Sequence, residues 1–193
     1  MRVLAINGSP RRNGNTHSLV QQVFAPLQEA GIDTELIHLG GQAVRGCTAC
    51  CRCAELQNGT CVLTDDPVNG IIAKMVEADG ILLASPTYFS DVTAEMKALI
   101  DRAGFVSIQN GRLLAHKVGA AVVAVRRGGG IHVFDTINHF FQINRMFVVG
   151  STYWNLGYGL EPGDVDRDEE GMANMTALGE SMAFLLRKLA GNG

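Results

Sequence analysis

No apolar run in this chain is long enough to cross a bilayer. The longest, Val118-Gly119-Ala120-Ala121-Val122-Val123-Ala124-Val125, has 8 residues, against the ~20 that a membrane helix needs. Blocks of like charge are missing too, and a net charge of −3 gives no reason to expect a nucleic-acid partner. No Ser/His/Asp set and no paired carboxylates argue for hydrolysis. The N-terminus goes straight into an apolar strand pattern, without the basic region and apolar segment of a secretory signal, so a cytoplasmic protein is expected. The five cysteines agree, because an odd, clustered set makes a poor disulfide framework. Internal repeats and interdomain linkers are also absent. With 193 residues, 47% hydrophobic and 18% charged, a single domain over 1–193 with a sizeable core is expected.

What the chain does have begins at its N-terminus. Val3-Leu4-Ala5-Ile6 reads as a strand and leads into Asn7-Gly8-Ser9-Pro10-Arg11-Arg12-Asn13-Gly14-Asn15-Thr16. Leu19-Val20, Val23-Phe24 and Leu27 follow at helical spacing. Such a strand–loop–helix gathers backbone N–H groups and small hydroxyls at a helix N-terminus, where partial positive charge favours a phosphate. It is not a Walker A loop, since it lacks the lysine and has one residue too many between its glycines. It also lacks the G-x-G-x-x-G spacing of a dinucleotide turn. A mononucleotide phosphate cradle is the reading that remains, beside that of an ordinary glycine-rich turn.

In order along the chain, the first helix is expected over 15–30, with Pro26 ending or kinking it. A strand over 34–39 follows, then a long connection over 40–64 holding all five cysteines. Asp65-Asp66-Pro67 is a helix start with carboxylates at the cap. The run 80–85 reads as a parallel strand buried on both faces, followed by the loop 86–91 and a helix through Met96, Leu99 and Ile100. Residues 117–125 are a second buried strand, 126–130 a glycine-rich loop, 132–146 a helix and 147–150 the fifth strand. The segment 152–166 is irregular, the last helix spans 169–189, and the tail Gly191-Asn192-Gly193 is expected to fray.

Five alternations of strand and helix predict a doubly wound α/β fold, a five-stranded parallel sheet in the flavodoxin-like order 2-1-3-4-5 with helices on both faces. Its ligand belongs where the strand order reverses. The loops 9–16, 86–91 and 126–130 then meet at the carboxyl edge. Ser9 and Thr16 offer hydroxyls, Asn13 and Asn15 amides, and Arg11 or Arg12 a fork suited to phosphate. Pro86, Thr87, Tyr88 and Phe89 offer a rigid turn with an aromatic surface for a flat heteroaromatic ring, although Tyr88 and Phe89 would equally serve to pack the next helix. Gly128 and Gly129 would let backbone approach a ring edge, and Arg126 and Arg127 would place positive charge near it or stay solvated.

Cys47, Cys50, Cys53 and Cys61 are spaced C-x2-C-x2-C-x7-C, with Cys51 left over. Three thiolates at that pitch can wrap one corner of a cubane, and the fourth can close it. Four-thiolate zinc and thiols without metal remain the alternatives. This insertion, at about 45–64, follows the second strand and is therefore expected at the carboxyl edge, where a cluster could exchange electrons with a ring bound nearby or across a subunit interface.

Gly8-Ser9-Pro10-Arg11…Gly14-Asn15-Thr16, the four-cysteine loop leading into Asp65-Asp66, Ala78-Asp79-Gly80, Ser85-Pro86-Thr87-Tyr88 and Leu99-Ile100-Asp101-Arg102 resemble the NADPH-dependent FMN reductase/flavodoxin-like superfamily. Together with Lys117 to Ala121 and Arg127 to Gly130, they most resemble its iron–sulfur flavoprotein branch, over nearly the whole chain. The resemblance implies a homodimer or homotetramer shuttling electrons through FMN and a 4Fe–4S cluster. Residues Ser9, Arg11, Asn15 and Thr16 would hold the phosphate, and Pro86 to Phe89 with Arg127, Gly128 and Gly129 the isoalloxazine. Cys47, Cys50, Cys53 and Cys61 would hold the cluster, and the adjacent Cys51 permits a shifted set. The donor would be NAD(P)H or a redox protein such as ferredoxin, and the acceptor a quinone, flavin or other small molecule. Tyr153 and Trp154 could cover a flavin or pack a core or interface, while His17 and His132, beside the binding loops, would meet phosphate or flavin or serve as solvated or capping residues. A carrier without its own substrate and a flavin-based redox sensor are the competing functions.

Overall fold

A computed structural model describes residues 1–191, so Asn192 and Gly193 of the expected tail lie outside the described residues. The strands are β1 (Arg2–Asn7), β2 (Asp33–His38), β3 (Gly80–Pro86), β4 (Val118–Val125), β5 (Phe147–Val148) and β6 (Leu156–Tyr158). They form one sheet in the order β2-β1-β3-β4-β5, with β6 also paired to β4 and every pairing parallel. The helices are α1 (Asn15–Glu29), α2 (Arg52–Leu56), α3 (Val68–Glu77), α4 (Ala94–Gln109), α5 (Gly130–Ile143) and α6 (Glu169–Ala190).

The apolar runs of the central strands are buried on both faces because each face meets helices. Leu4, Ile6, Ile81 and Leu83 join the core beneath α3, α4 and α5. Their strand neighbours Val3, Ala5, Leu82 and Ala84 point the other way, into the core beneath α1 and α6. This alternation follows from the two-residue period of a strand.

Two expectations are corrected. The fifth strand is not 147–150: only Phe147 and Val148 pair, with Val118 and Gly119. The chain then leaves the edge and returns as β6 against Val123, Ala124 and Val125. An edge position exposes Phe147 and Val148, so nothing forces the apolar run to continue the ladder. Pro26, for its part, does not end α1, which runs on to Glu29. The ring falls in the last turn, and α6 makes room for it at Gly179, where an added Cβ would come within 2.5 Å of Pro26 Cγ.

Candidate flavin cleft and cysteine site

The carboxyl edge is stitched together by backbone. Gly8 N donates to Ala84 O at 2.8 Å, Thr87 N to Ala124 O at 2.8 Å and Gly159 N to Val125 O at 3.0 Å. At the start of α4, Thr93 Oγ1 donates to Gly8 O at 2.9 Å, and Thr93 N to Ser85 Oγ at 3.1 Å. These bonds leave a cleft of about 230 Å³ walled by Ser9, Arg11, Asn15, Thr16, Pro86, Thr87 and Tyr88, together with Arg126, Gly159 and Leu160. Most of the residues expected around a phosphate and a ring are thus brought together.

Others are not. Asn13 is exposed and forms no part of that wall. Arg127, Gly128 and Gly129 line a neighbouring cavity of about 420 Å³ with Tyr153, Trp154 and Asn174. Phe89 is fully exposed at the tip of a turn closed by Tyr88 N to Asp91 O (2.9 Å) and Asp91 N to Tyr88 O (3.0 Å). Both central residues of that turn have positive φ, Phe89 at 48° and Ser90 at 64°, where Asn-Gly is the usual pair. Gly129 is fixed by this turn, since a Cβ there would stand 2.6 Å from Ser90 Oγ.

The cleft suits an anion. Helix α1 starts behind Gly14 with no side-chain cap and no acidic residue in its first turn, so its amide ends are free to meet negative charge. Asn7 Oδ1 accepts from Ser9 N at 2.8 Å and Ser9 Oγ from Arg11 N at 3.2 Å, which fixes the loop before any ligand arrives. Arg11 Nη1 donates to Leu160 O at 3.1 Å, and Asn15 Oδ1 accepts from Gly163 N at 2.9 Å. Gly159 and Leu160, in the stretch read from the sequence as irregular, therefore wall the cleft, and the glycines of that stretch are the signal for it. Thr87 Oγ1 is buried on this wall without a hydrogen-bond partner. A buried hydroxyl in that state costs about 1–3 kcal/mol, and a polar ligand would relieve it. Beside the loop, burial holds His38 below its usual range, with the charges of Arg12 and His17 adding to the effect.

All five cysteines are free and line one small cavity against Arg102, Phe105 and Val106 of α4. Burial pushes the Cys53 thiol up, and the neighbouring Cys61 and Cys47 push it further. The Cys50 thiol is held below its usual range by the Arg52 amide and then the Thr48 hydroxyl. Among the described residues no three His, Cys, Asp or Glu side chains close around a single-ion site. A cubane asks for something else, because its four thiolates bind four separate irons and stand farther apart than the ligands of one ion. Four cysteines on one cavity are a donor set of the right chemistry.

The site reaches farther from the carboxyl edge than expected. The connection does leave β2 at the carboxyl edge, where Gly40 lies so close to the phosphate loop that a Cβ would fall 2.1 Å from Ser9 O. It then runs along α4. Asn110 Nδ2, at the far end of that helix, donates to Cys53 O at 3.2 Å, and Asn110 Oδ1 accepts from Gly59 N at 2.9 Å. Since α4 begins at the carboxyl edge and has 16 residues rising about 1.5 Å each, Cys53 lies near the opposite edge of the sheet. The loop's other end is held by Asn69, whose Oδ1 accepts from Cys61 N and whose Nδ2 donates to Cys61 O, both at 2.8 Å.

The profile of the NADPH-dependent FMN reductase family matches residues 1–161. The chain belongs to this family. It is 40% identical to an iron–sulfur flavoprotein of Methanocaldococcus jannaschii over 97% of this chain and 98% of that one. An iron–sulfur flavoprotein of Methanosarcina thermophila is 30% identical, over 100% of this chain and 98% of the relative. Among solved structures, an NAD(P)H:quinone oxidoreductase from Methanothermobacter marburgensis superposes with a TM-score of 0.68 at 18% identity, covering 93% of this chain and 94% of the other. This FMN reductase family member is an FMN-dependent oxidoreductase of flavodoxin-like fold. No helix among the described residues is long and apolar enough to cross a membrane.

Arg102, which lines the cysteine cavity, and its buried ion-pair partner Asp66 are not among the site residues read from the sequence. Residues Leu99, Ala103 and Val106 form the buried stripe of α4, and an arginine falling on that stripe was the available signal.

Proposed function

We propose that this protein passes electrons between a nicotinamide or protein donor and a quinone, flavin or other acceptor, using FMN in the carboxyl-edge cleft and a 4Fe–4S cluster held by Cys47, Cys50, Cys53 and Cys61. The supporting observation is the pairing of two sites in one chain: an uncapped helix start beside an unpartnered buried hydroxyl, and a cysteine-lined cavity. The relatives named iron–sulfur flavoprotein support the second half. FMN, when bound, supplies hydride and one-electron chemistry. The chain's own residues do the rest. Arg11, Thr16 and the first amides of α1 bind the phosphate, Thr87 gives its hydroxyl to the ligand, and Tyr88 and the strained turn at Phe89 offer apolar surface to the ring.

The cleft of about 230 Å³ is smaller than a typical pocket of ~300–1,000 Å³, so the ring rests on the rim and needs a cover. Tyr88 and Phe89 are exposed beside the cleft, and Tyr153 and Trp154 beside the neighbouring cavity, and a second copy of the chain is the cover this reading favours, as a homodimer or homotetramer. Because the cysteines dock far along α4, such an assembly would also bring one protomer's cysteine site towards another's flavin.

Anaerobic purification followed by an absorbance spectrum and iron and sulfide counts tests the proposal. Flavin bands with about four irons and four sulfides per chain are expected, and flavin without iron would leave a plain FMN reductase. A second reading, an electron carrier without a small substrate, draws on the lack of any carboxylate or histidine among the residues that wall the cleft. It requires rapid flavin reduction by a reduced ferredoxin and no steady-state turnover with any nicotinamide.

A further inference from the structure

Arg102 is the most deeply buried charge near the cysteine cavity. The residue is 1% exposed and its side chain 0%. Its Nη1 donates to Arg45 O at 3.1 Å and to the Asp66 carboxylate. Its Nη2 donates to Leu63 O at 2.8 Å. Arg45 precedes the first cysteine and Leu63 follows the last, so one guanidinium ties the two ends of the cysteine-bearing segment together. Only Nε is left buried and without a partner, on a side chain that lines the cavity together with the cysteines.

A structural salt bridge would need none of this placement. Asp66 neutralises Arg102, but a buried guanidinium with a donor unused is costly unless something else accepts from it. Apart from the Thr48 hydroxyl, the cavity side chains able to do so are the cysteine sulfurs. Four thiolates around an iron–sulfur core carry net negative charge, and each electron taken up adds one more. A fixed positive charge and an N–H donor beside them favour the reduced form, which raises the reduction potential.

We infer that Arg102 is the positioning residue of the cysteine site: it clamps the ends of the loop through Arg45 and Leu63 and supplies the buried positive charge that holds up the potential of the cluster. This rests on the cluster reading above.

The test compares the wild-type chain with Arg102→Gln, Arg102→Lys and Asp66→Asn, each reconstituted anaerobically with ferrous iron and sulfide. Iron is counted, and the cluster is titrated by EPR against redox mediators. Arg102→Gln removes the charge and should lower the potential, cutting the ratio of reduced to oxidised cluster at a fixed ambient potential about tenfold, or about 59 mV for one electron. Asp66→Asn keeps an acceptor for Arg102 but removes the counter-charge, and should move the potential the other way. Arg102→Lys should hold the potential near wild type while losing iron, because an ammonium cannot make the same fork. A merely structural role would not give shifts of opposite sign. If wild type itself takes up no iron, the cluster reading falls and takes this inference with it. A wild-type cluster whose potential is unmoved in Arg102→Gln overturns the inference alone. Should Arg102→Gln fail to fold, Asp66→Asn decides, and an unmoved or lowered potential there overturns it.

Discussion

The phosphate loop and the cysteine loop are held in opposite ways. Around Ser9 the backbone is fixed by the ends of the sheet itself, through Gly8 to Ala84 and Thr87 to Ala124, and Ser9, Asn15 and Thr16 are buried. Around Cys50 the chain has no regular structure apart from the five-residue α2, and Cys47, Cys50 and Cys51 are exposed. Ala49, Cys51 and Gln57 all have positive φ, a conformation that non-glycine residues hold only under constraint. What secures this segment is side chains reaching in from elsewhere: Arg102, Asn69 and Asn110. The cleft is thus a by-product of strand order, while the cysteine site is an addition that depends on a few polar contacts.

The largest test of that contrast is Asp66→Ala. It leaves the Arg102 guanidinium buried without a counter-ion and should cost about 3–5 kcal/mol, read from the denaturant midpoint. Amide exchange should quicken over 45–64 while Gly8 and Thr87 stay protected; equal loosening of both would erase the distinction. Acid should act on the same pair. Burial alone would raise the Asp66 carboxyl, but hydrogen bonds from Arg102 and from the Arg45 and Val68 amides hold it below the ordinary 3.8. Its stabilisation is complete above that value and lost as pH falls through the lower native one, so amide exchange over 45–64 should quicken there first.

A smaller effect is expected from replacing Phe89-Ser90 by Asn-Gly. Relief of two strained residues should stabilise the free protein by roughly 1–2 kcal/mol, seen as a higher Tm, and FMN affinity should fall with loss of the ring. A gain in both would remove Phe89 from the site. The smallest is Thr87→Val. Exchanging an unpartnered hydroxyl for a methyl should stabilise the free protein by about 1 kcal/mol, while FMN affinity by fluorescence titration falls about fivefold, or ~1 kcal/mol.

The sheet was legible because parallel strands buried on both faces leave continuous apolar runs, as at Ile81 to Ala84 and Val118 to Val125. Ser9, Thr16 and Thr87 were legible because strand order dictates where their loops meet. The split edge strand was not, since Leu156-Gly157-Tyr158 has no periodicity of its own and pairs only where β4 offers Val123 to Val125. The displaced cysteines and their clamp were hidden for another reason. Arg45, Leu63, Asp66 and Arg102 have no local pattern in common, and only the packing of the loop on α4 brings them together.

Helix α4 has a consequence for kinetics. Thr93 at its start is tied to Gly8, and Asn110 just beyond its end is tied to Cys53. The helix therefore spaces the phosphate loop from the cysteine cavity, whose wall at Arg102, Phe105 and Val106 lies about 12–18 Å along it. The rigid part of the span between the two sites within one protomer is this helix. Any exchange of electrons along this route would have to cross that span.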